Sequence, residues 1–264
     1  MGVQSKGRRV SGLVLVVLLS AAGCRTVSTY APATIDEVGF RERAVSETKD
    51  GVTVTVAVPS PDESRLLFGF KTAKKRIQPV WIEVTNGSDQ IYWFLPHSLD
   101  PDYYSPLEVA WMGRGKYKKP ARREMEQQIY TRQMPSRIPA GDTKSGFAFI
   151  NQTLGARHTV VELIGEHRAM VRFEFLVEVP GLKTDYQQVD FETLYDELEE
   201  VDEQELRNWI AEQPCCTTNK DGTKQGDPLN IVIIGPENAV WPDFLRDGWD
   251  VTETMSSGAT WRTI

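Results

Sequence analysis

The sequence predicts an α+β protein, with an N-terminal antiparallel β-sandwich followed by a small α/β module. Three observations predict it: β-rich segments that alternate apolar and polar residues, a later change to helical spacing, and a short apolar segment near the end. Hydrophobic residues make up 40% and charged residues 25% of the chain, which is typical of a globular protein. We divide the chain into a signal peptide (1–23), a tether (24–48), the sandwich (49–181) and the α/β module (182–264).

The first 23 residues have the features of a secretory signal peptide. Three basic residues (Lys6, Arg8 and Arg9) precede an unbroken apolar run over residues 13–19 and the small residues of "SAAGC". The apolar run is too short to span a bilayer stably. "LLSAAGC" resembles the lipobox of bacterial lipoproteins, with Ala21 where these proteins usually carry Leu. The resemblance implies that Cys24 becomes the first mature residue and is acylated. An ordinary signal peptide, with Cys24 irrelevant, is the alternative.

A lipidated Cys24 would attach the protein to a membrane of the bacterial envelope. Stable anchoring requires more than one acyl chain, and nothing after the leader approaches the ~20 apolar residues of a transmembrane helix. By analogy with bacterial lipoproteins, Arg25 in place of Asp implies the outer membrane, with the protein facing the periplasm.

The charge of the mature chain argues against nucleic-acid binding. The leader carries three of the 30 basic residues and none of the 37 acidic ones, so its removal changes the net charge from −7 to −10. Nonspecific nucleic-acid binding needs Lys and Arg to neutralise phosphates. One exception is "GRGKYKKPARR", residues 113–123, where six of eleven residues are basic. It could contact anionic lipid head groups, but we favour a solvated loop and helix start.

Alternating segments predict the strands of the sandwich. "VTVTVAV" (52–58) has the period of a half-buried strand. "VWIEVT" and "QIYWFL" flank the turn "NGSD" and predict one hairpin. "VVELIGEHRAMVRFEFLVEV" predicts a second hairpin around Gly165. The polar residues of its return strand share one face, which suggests antiparallel sheets with one face exposed to solvent. Between these strands, "PARREMEQQIYTRQM" predicts a helix that begins at Pro120.

After residue 182 the pattern changes to helices and one strand. Apolar residues follow Asp190 at helical spacing, and Asp202 with Glu205 forms a capping-box pattern. "LNIVIIG" (229–235) predicts a short strand buried on both faces. "PENAVWPDFLRDG" predicts a short helix after it. Together these segments predict the α/β module.

The segment before that strand, "PCCTTNKDGTKQGDPLN", does not match a known cofactor or metal motif. On an EF-hand frame, Thr217 and Pro228 would occupy the first and twelfth ligand positions, and Pro228 cannot be a side-chain ligand. The glycine spacing and the Lys-Ser/Thr pair of a phosphate loop are missing. A zinc site would need ligands beyond two cysteines, and the histidines are distant in sequence: His97, His158 and His167. We therefore expect no metal and no cofactor.

Cys215 and Cys216 are either a disulfide or buried thiols. They are adjacent and do not form the CxxC motif of thiol oxidoreductases. Adjacent Cα atoms lie about 3.8 Å apart, below the usual disulfide range of about 4.4–6.8 Å. Export to an oxidising compartment favours a disulfide, whereas the geometry favours at least one buried thiol. We favour the thiols.

The last third of the chain resembles a known bacterial family. "CTTNKDGTKQGDPLNIVIIG", followed by "FLRDGW" (244–249), is similar to the entry of the LssY C-terminal domain, a family of unknown activity. The resemblance implies a membrane-associated context and no particular chemistry. It also implies an incomplete domain, because such domains continue through more strands than remain before Ile264.

Three classes of function are compatible with the sequence. We favour a noncatalytic lipoprotein that binds an envelope protein or acts as a scaffold, and we expect no catalytic residues. A carrier of a small apolar ligand is the alternative, with Tyr103, Tyr104 and Trp111 lining a pocket. A hydrolase would need paired carboxylates, because the histidines are scattered and no GxSxG motif occurs.

Overall fold

The protein is described by a computed structural model, which covers residues 28–153, 155–166, 170–181 and 200–235 and positions 240, 243, 244, 247 and 249. The predicted signal peptide, Cys24 and the predicted helix after Asp190 lie outside the described residues. Most of the helix predicted over "PENAVWPDFLRDG" also lies outside them. Among the residues that are described, no helix combines the length and hydropathy needed to cross a membrane.

Two four-stranded antiparallel sheets form the N-terminal part, and the predicted α+β fold class is confirmed. The first sheet has the order β1-β2-β3-β6 and the second has the order β5-β4-β7-β8. The eight strands are β1 (Val45–Lys49), β2 (Val52–Ala57), β3 (Ile77–Asn86), β4 (Tyr92–Phe94), β5 (Arg137–Ile138), β6 (Thr143–Asn151), β7 (Gly155–Gly165) and β8 (Met170–Val179).

The two sheets pack face to face around an apolar core. Side chains alternate in and out along β2 and β8, so that Val52, Val54 and Val56 meet Phe173 and Phe175 in one buried cluster. All five side chains are almost completely buried. The period-two patterns of these strands therefore predicted the inward face correctly. The predicted hairpin around Gly165 is also confirmed, because β7 and β8 pair antiparallel.

Helices cover the other face of the first sheet, which corrects the expectation that one face of each sheet is wet. They are α1 (Pro61–Phe68), α2 (Pro106–Gly113) and α3 (Lys119–Thr131). The prediction of a helix at Pro120 is confirmed by α3. Phe147 and Phe149 of β6 point to this helical face and pack against Phe68, with ring centroids 5.1 and 5.3 Å apart. The first sheet is therefore the middle layer of three.

The predicted boundary between tether and sandwich lies too late in the chain. Residues 45–48 belong to β1, which turns into β2 through Asp50 and Gly51 at φ 51° and 75°. Two consecutive residues with positive φ are typical of a type I′ hairpin turn. Further upstream, Tyr30 and Phe40 are buried in the helical-face core. Short 3-10 turns connect them, and such turns carry little sequence periodicity.

The hairpin predicted around "NGSD" is wrong. β3 belongs to the first sheet, whereas β4 pairs with β5 and β7 in the second. Asn86, which is fully buried, directs this change of sheet: its side-chain amide donates to the carbonyls of Gln90, Ile138 and Pro139. A local turn signal cannot specify which sheet the next strand joins.

Residues 200–235 of the C-terminal region hold one helix and a two-stranded hairpin. Helix α4 (Glu203–Glu212) begins with the predicted capping box, in which Asp202 and Glu205 exchange backbone and side-chain hydrogen bonds. Strands β9 (Cys216–Thr218) and β10 (Gln225–Pro228) pair antiparallel. The buried strand predicted at 229–235 is wrong, because residues 229–234 form no strand and Ile231 is 77% exposed. A continuous apolar run is buried only if a partner covers it.

Candidate anion-binding cleft

The fold brings together two basic segments that are about forty residues apart in sequence. The first is "KTAKKR" (71–76), with four basic residues of six, and the second is the segment 113–123. They border a cleft of about 500 Å³ between the end of α1 and the end of α2. We call this the cationic cleft; it is lined by Arg65, Phe70, Lys71, Lys74, Lys75, Met112, Gly113, Gly115 and Lys116.

Gly69 and Gly113 allow the two segments to approach each other. Helix α1 ends at Gly69, which has a φ of 70°, and its carbonyl accepts hydrogen bonds from Lys116 Nζ and the Tyr117 hydroxyl, both at 2.6 Å. A Cβ on Gly113 would lie 2.7 Å from the ring of Phe70. These contacts therefore fix the end of α1 and the end of α2, which border the cleft, relative to each other.

The N-terminal segment packs directly behind the cleft. The Tyr30 hydroxyl donates to the carbonyl of Phe68 at 3.2 Å, and its ring meets that of Tyr117 edge-on at 5.3 Å. Arg132 donates to the carbonyls of Leu67 and Ala33. Burial raises the pKa of both Tyr30 and Tyr117. The positive charge of Arg132 lowers the pKa of Tyr30, but the effect of burial is larger. Both hydroxyls therefore stay neutral donors at physiological pH.

Four of the five basic side chains that line the cleft have no carboxylate partner among the described residues. Among the described residues, none of the ten Lys and Arg side chains of segments 71–76 and 113–123 forms an ion pair. Lys71, Lys74 and Lys75 are exposed. Arg65 has a weak partner in Asp62, at 3.4 Å and largely exposed, and such surface pairs contribute little. Positive charge of this kind, concentrated on one surface of a net acidic chain, attracts anions.

The lining of the cleft combines positive charge with apolar surface. No Asp, Glu, His or Cys is among the nine lining residues, so they offer no general base for neutral pH. Lysine ammonium groups are point charges with three donors each. Phe70 and Met112 add an apolar floor. The arrangement suits an anionic group attached to an apolar body.

Exposed apolar side chains lie on the helices next to the cleft. Leu107 and Trp111 are 61% and 62% exposed and lie four residues apart on α2, hence on one face. Arg114 stacks on the Trp111 ring. Leu66 of α1 is also exposed.

The structure does not join Tyr103, Tyr104 and Trp111 into one pocket. The two tyrosines line a cavity of only about 50 Å³, which is small compared with the roughly 300–1,000 Å³ of ligand pockets. The Tyr104 hydroxyl bonds to Asn151 at 2.8 Å. Trp111 lies apart from this cavity, on the exposed face of α2.

Among the residues that the structure describes, the histidines and buried acids do not come together in a second site. His97 is exposed and His167 is outside the described residues. The ring of His158, on β7, lies 3.0 Å from the carboxylate of Glu174, on β8.

Asp100 is a buried acid whose carboxylate accepts hydrogen bonds from Arg157 and Asn151. Burial lowers the pKa of Arg157, and the charge of Asp100 opposes that shift. In the part of the chain that the structure describes, no cluster of His, Cys, Asp or Glu could hold a metal.

Cys215 and Cys216 are joined by a disulfide, with Cα atoms 3.8 Å apart. Cys215 is exposed and Cys216 is half-buried. The favoured alternative, a thiol buried in the interior, is therefore wrong. The pair lies where β9 begins, and the carbonyl of Cys215 accepts from the amide of Leu229 at 2.8 Å.

The sequence marks one half of the cleft, segment 113–123, only as a basic cluster, which we interpreted as a solvated loop and helix start. The other half, "KTAKKR", has the higher basic fraction and was not predicted to belong to a site. A search for short basic runs would have found both, whereas their proximity is a tertiary feature.

Comparison of the chain with protein-family models, curated proteins and solved structures finds no match. The resemblance to the LssY C-terminal family therefore stays a prediction.

Proposed function

We propose that the chain is a lipid-anchored protein of the bacterial envelope with a noncatalytic binding role, and that the cationic cleft binds an anionic partner. The observation that carries the proposal is the cleft itself, where five basic side chains meet without an acidic residue in the lining. The leader and Cys24 support export and anchoring, and Arg25 supports the outer membrane. The packed core between the sheets favours this role over that of an apolar carrier.

The binding role is tested by the behaviour of the chain on a cation-exchange resin. The fragment from Arg25 to Ile264 contains every described residue and carries a net charge of −10. A uniform charge distribution would let it flow through at neutral pH. We expect retention through the cationic cleft, and early elution of the variant Lys71→Gln/Lys74→Gln/Lys75→Gln. Flow-through of the unsubstituted fragment would contradict the proposal.

The anchor is tested separately in cells. We expect Cys24→Ser to move the protein out of the detergent-extracted membrane fraction, because the acyl chains supply the attachment. Cys215→Ser/Cys216→Ser is the matched control, since it removes cysteines that play no part in anchoring. Membrane attachment that persists in Cys24→Ser would refute the lipid anchor.

A further inference from the structure

We infer that the cationic cleft is a membrane-contact surface, which binds the phosphate groups of anionic lipids in the same bilayer that holds the acylated Cys24. This inference rests on the proposed function and names the partner of the cleft. It follows from the short connection to the anchor, from the charge of the cleft, and from the apolar side chains beside it.

The connection between anchor and domain is short. Tyr30 is already buried, and it follows Cys24 by six residues. Six residues span at most about 22 Å however they are arranged, at roughly 3.3–3.6 Å per residue. A lipidated Cys24 therefore keeps Tyr30 within about 22 Å of the membrane surface.

Tyr30 in turn touches the elements that line the cleft. Its hydroxyl bonds to the carbonyl of Phe68, and its ring packs on Tyr117. An added Cβ on Gly69 would lie only 2.9 Å from the Tyr30 ring. Phe70 and Lys116, the immediate neighbours of Gly69 and Tyr117, line the cleft. The anchor therefore holds the cationic cleft at the bilayer, while the rest of the chain carries the acidic excess.

The surface around the cleft has the composition of a membrane-contact region. Basic side chains are attracted to anionic head groups, and amphipathic elements insert Trp and Leu at the boundary between head groups and acyl chains. Trp111 and Leu107 are exposed on α2, whose last residues line the cleft. Lysine stems also lie along apolar surface while the ammonium stays with phosphate. A soluble phosphate would leave these apolar side chains in water.

The test is co-flotation of the fragment from Arg25 to Ile264 with lipid vesicles. This fragment has no acyl chain, so the result does not depend on the anchor. We expect binding to vesicles of equal parts phosphatidylglycerol and phosphatidylcholine, and little binding to phosphatidylcholine alone. Near an anionic membrane each lysine strengthens binding about fivefold. The variant Lys71→Gln/Lys74→Gln/Lys75→Gln should therefore lose binding by a factor on the order of 100.

Two matched controls separate the cleft from general effects. Lys144→Gln/Lys220→Gln/Lys224→Gln removes the same charge from residues that do not line the cleft. This variant should bind anionic vesicles within about twofold of the unsubstituted fragment. Trp111→Ser should weaken binding, whereas Trp209→Ser, at a tryptophan of similar exposure on α4, should not.

Three outcomes would overturn the inference: no binding to anionic vesicles, equal loss in the two lysine variants, or equal loss in the two tryptophan variants. If the fragment is retained on the cation-exchange resin but does not bind vesicles, only the lipid-contact inference is refuted. The cleft would then still bind an anionic partner other than lipid. Release of Cys24→Ser from membranes bears only on the anchor. Failure of the inference and failure of the proposed function are therefore distinguishable.

Discussion

Replacing Gly69 with Ala tests the contact between the N-terminal segment and the base of the cationic cleft. Gly69 has a φ of 70°, and an added Cβ would lie 2.5 Å from the Tyr117 hydroxyl and 2.9 Å from the Tyr30 ring. The left-handed conformation costs Ala about 1–2 kcal/mol. Displacing two packed tyrosines costs about 1–3 kcal/mol more. We therefore expect the free energy of unfolding to fall by about 2–5 kcal/mol.

Gly141→Ala is the matched control for this substitution. Gly141 has a φ of 72°, but an added Cβ would meet no atom within 4 Å. It should therefore cost only the backbone component, about 1–2 kcal/mol. Urea unfolding of the fragment from Arg25 to Ile264 measures both changes. Equal losses in the two variants would show that Tyr30 and Tyr117 do not pack against Gly69.

Two further predictions concern Glu63 and the cysteine pair. Burial raises the pKa of Glu63, but hydrogen bonds from Arg43 and Ser60 outweigh burial and hold that pKa below its usual value. The ionised carboxylate therefore stabilises the fold above the unfolded pKa of about 4.3, and this contribution is lost as pH falls through the folded pKa. Glu63→Gln should cost about 1 kcal/mol at neutral pH, and this cost should shrink as pH falls through the folded pKa of Glu63; a cost in urea unfolding that is the same at neutral and at acidic pH would contradict this. For Cys215 and Cys216 we expect no thiol labelling of the denatured fragment from Arg25 to Ile264 before reduction, and two labels afterwards; labelling without reductant would count against the disulfide.

The sequence predicted those parts of the fold that have a regular pattern. The alternation of apolar and polar residues in β2 and β8 shows which side chains face inward, because successive side chains of a strand point to opposite faces of the sheet. The capping box at Asp202 and the proline at the start of α3 mark helix starts through local hydrogen bonding and backbone geometry. These signals depend on neighbours in the chain and can be read without the tertiary structure.

The features that the sequence did not predict depend on contacts between distant residues. The turn after Asn86 resembles a hairpin turn locally. The side-chain amide of Asn86, however, donates to the carbonyls of Ile138 and Pro139 and so directs the chain to the other sheet. The apolar run at 229–234 was expected to be buried, yet it has no partner strand among the described residues. The cationic cleft depends on Gly69 and Gly113, which bring two basic segments into contact.

Lysine labelling of the full, acylated protein in anionic proteoliposomes measures directly whether the anchor holds the cationic cleft against the bilayer. An amine-reactive reagent is added before and after detergent removes the membrane, and modified lysines are counted by mass spectrometry. We expect Lys71, Lys74 and Lys75 to react slowly on the membrane and quickly in detergent. Lys220 and Lys224, which are exposed on the β9–β10 hairpin, should react equally in both. Equal reactivity of all five lysines on and off the membrane would contradict the claim that the anchor holds the cationic cleft against the bilayer.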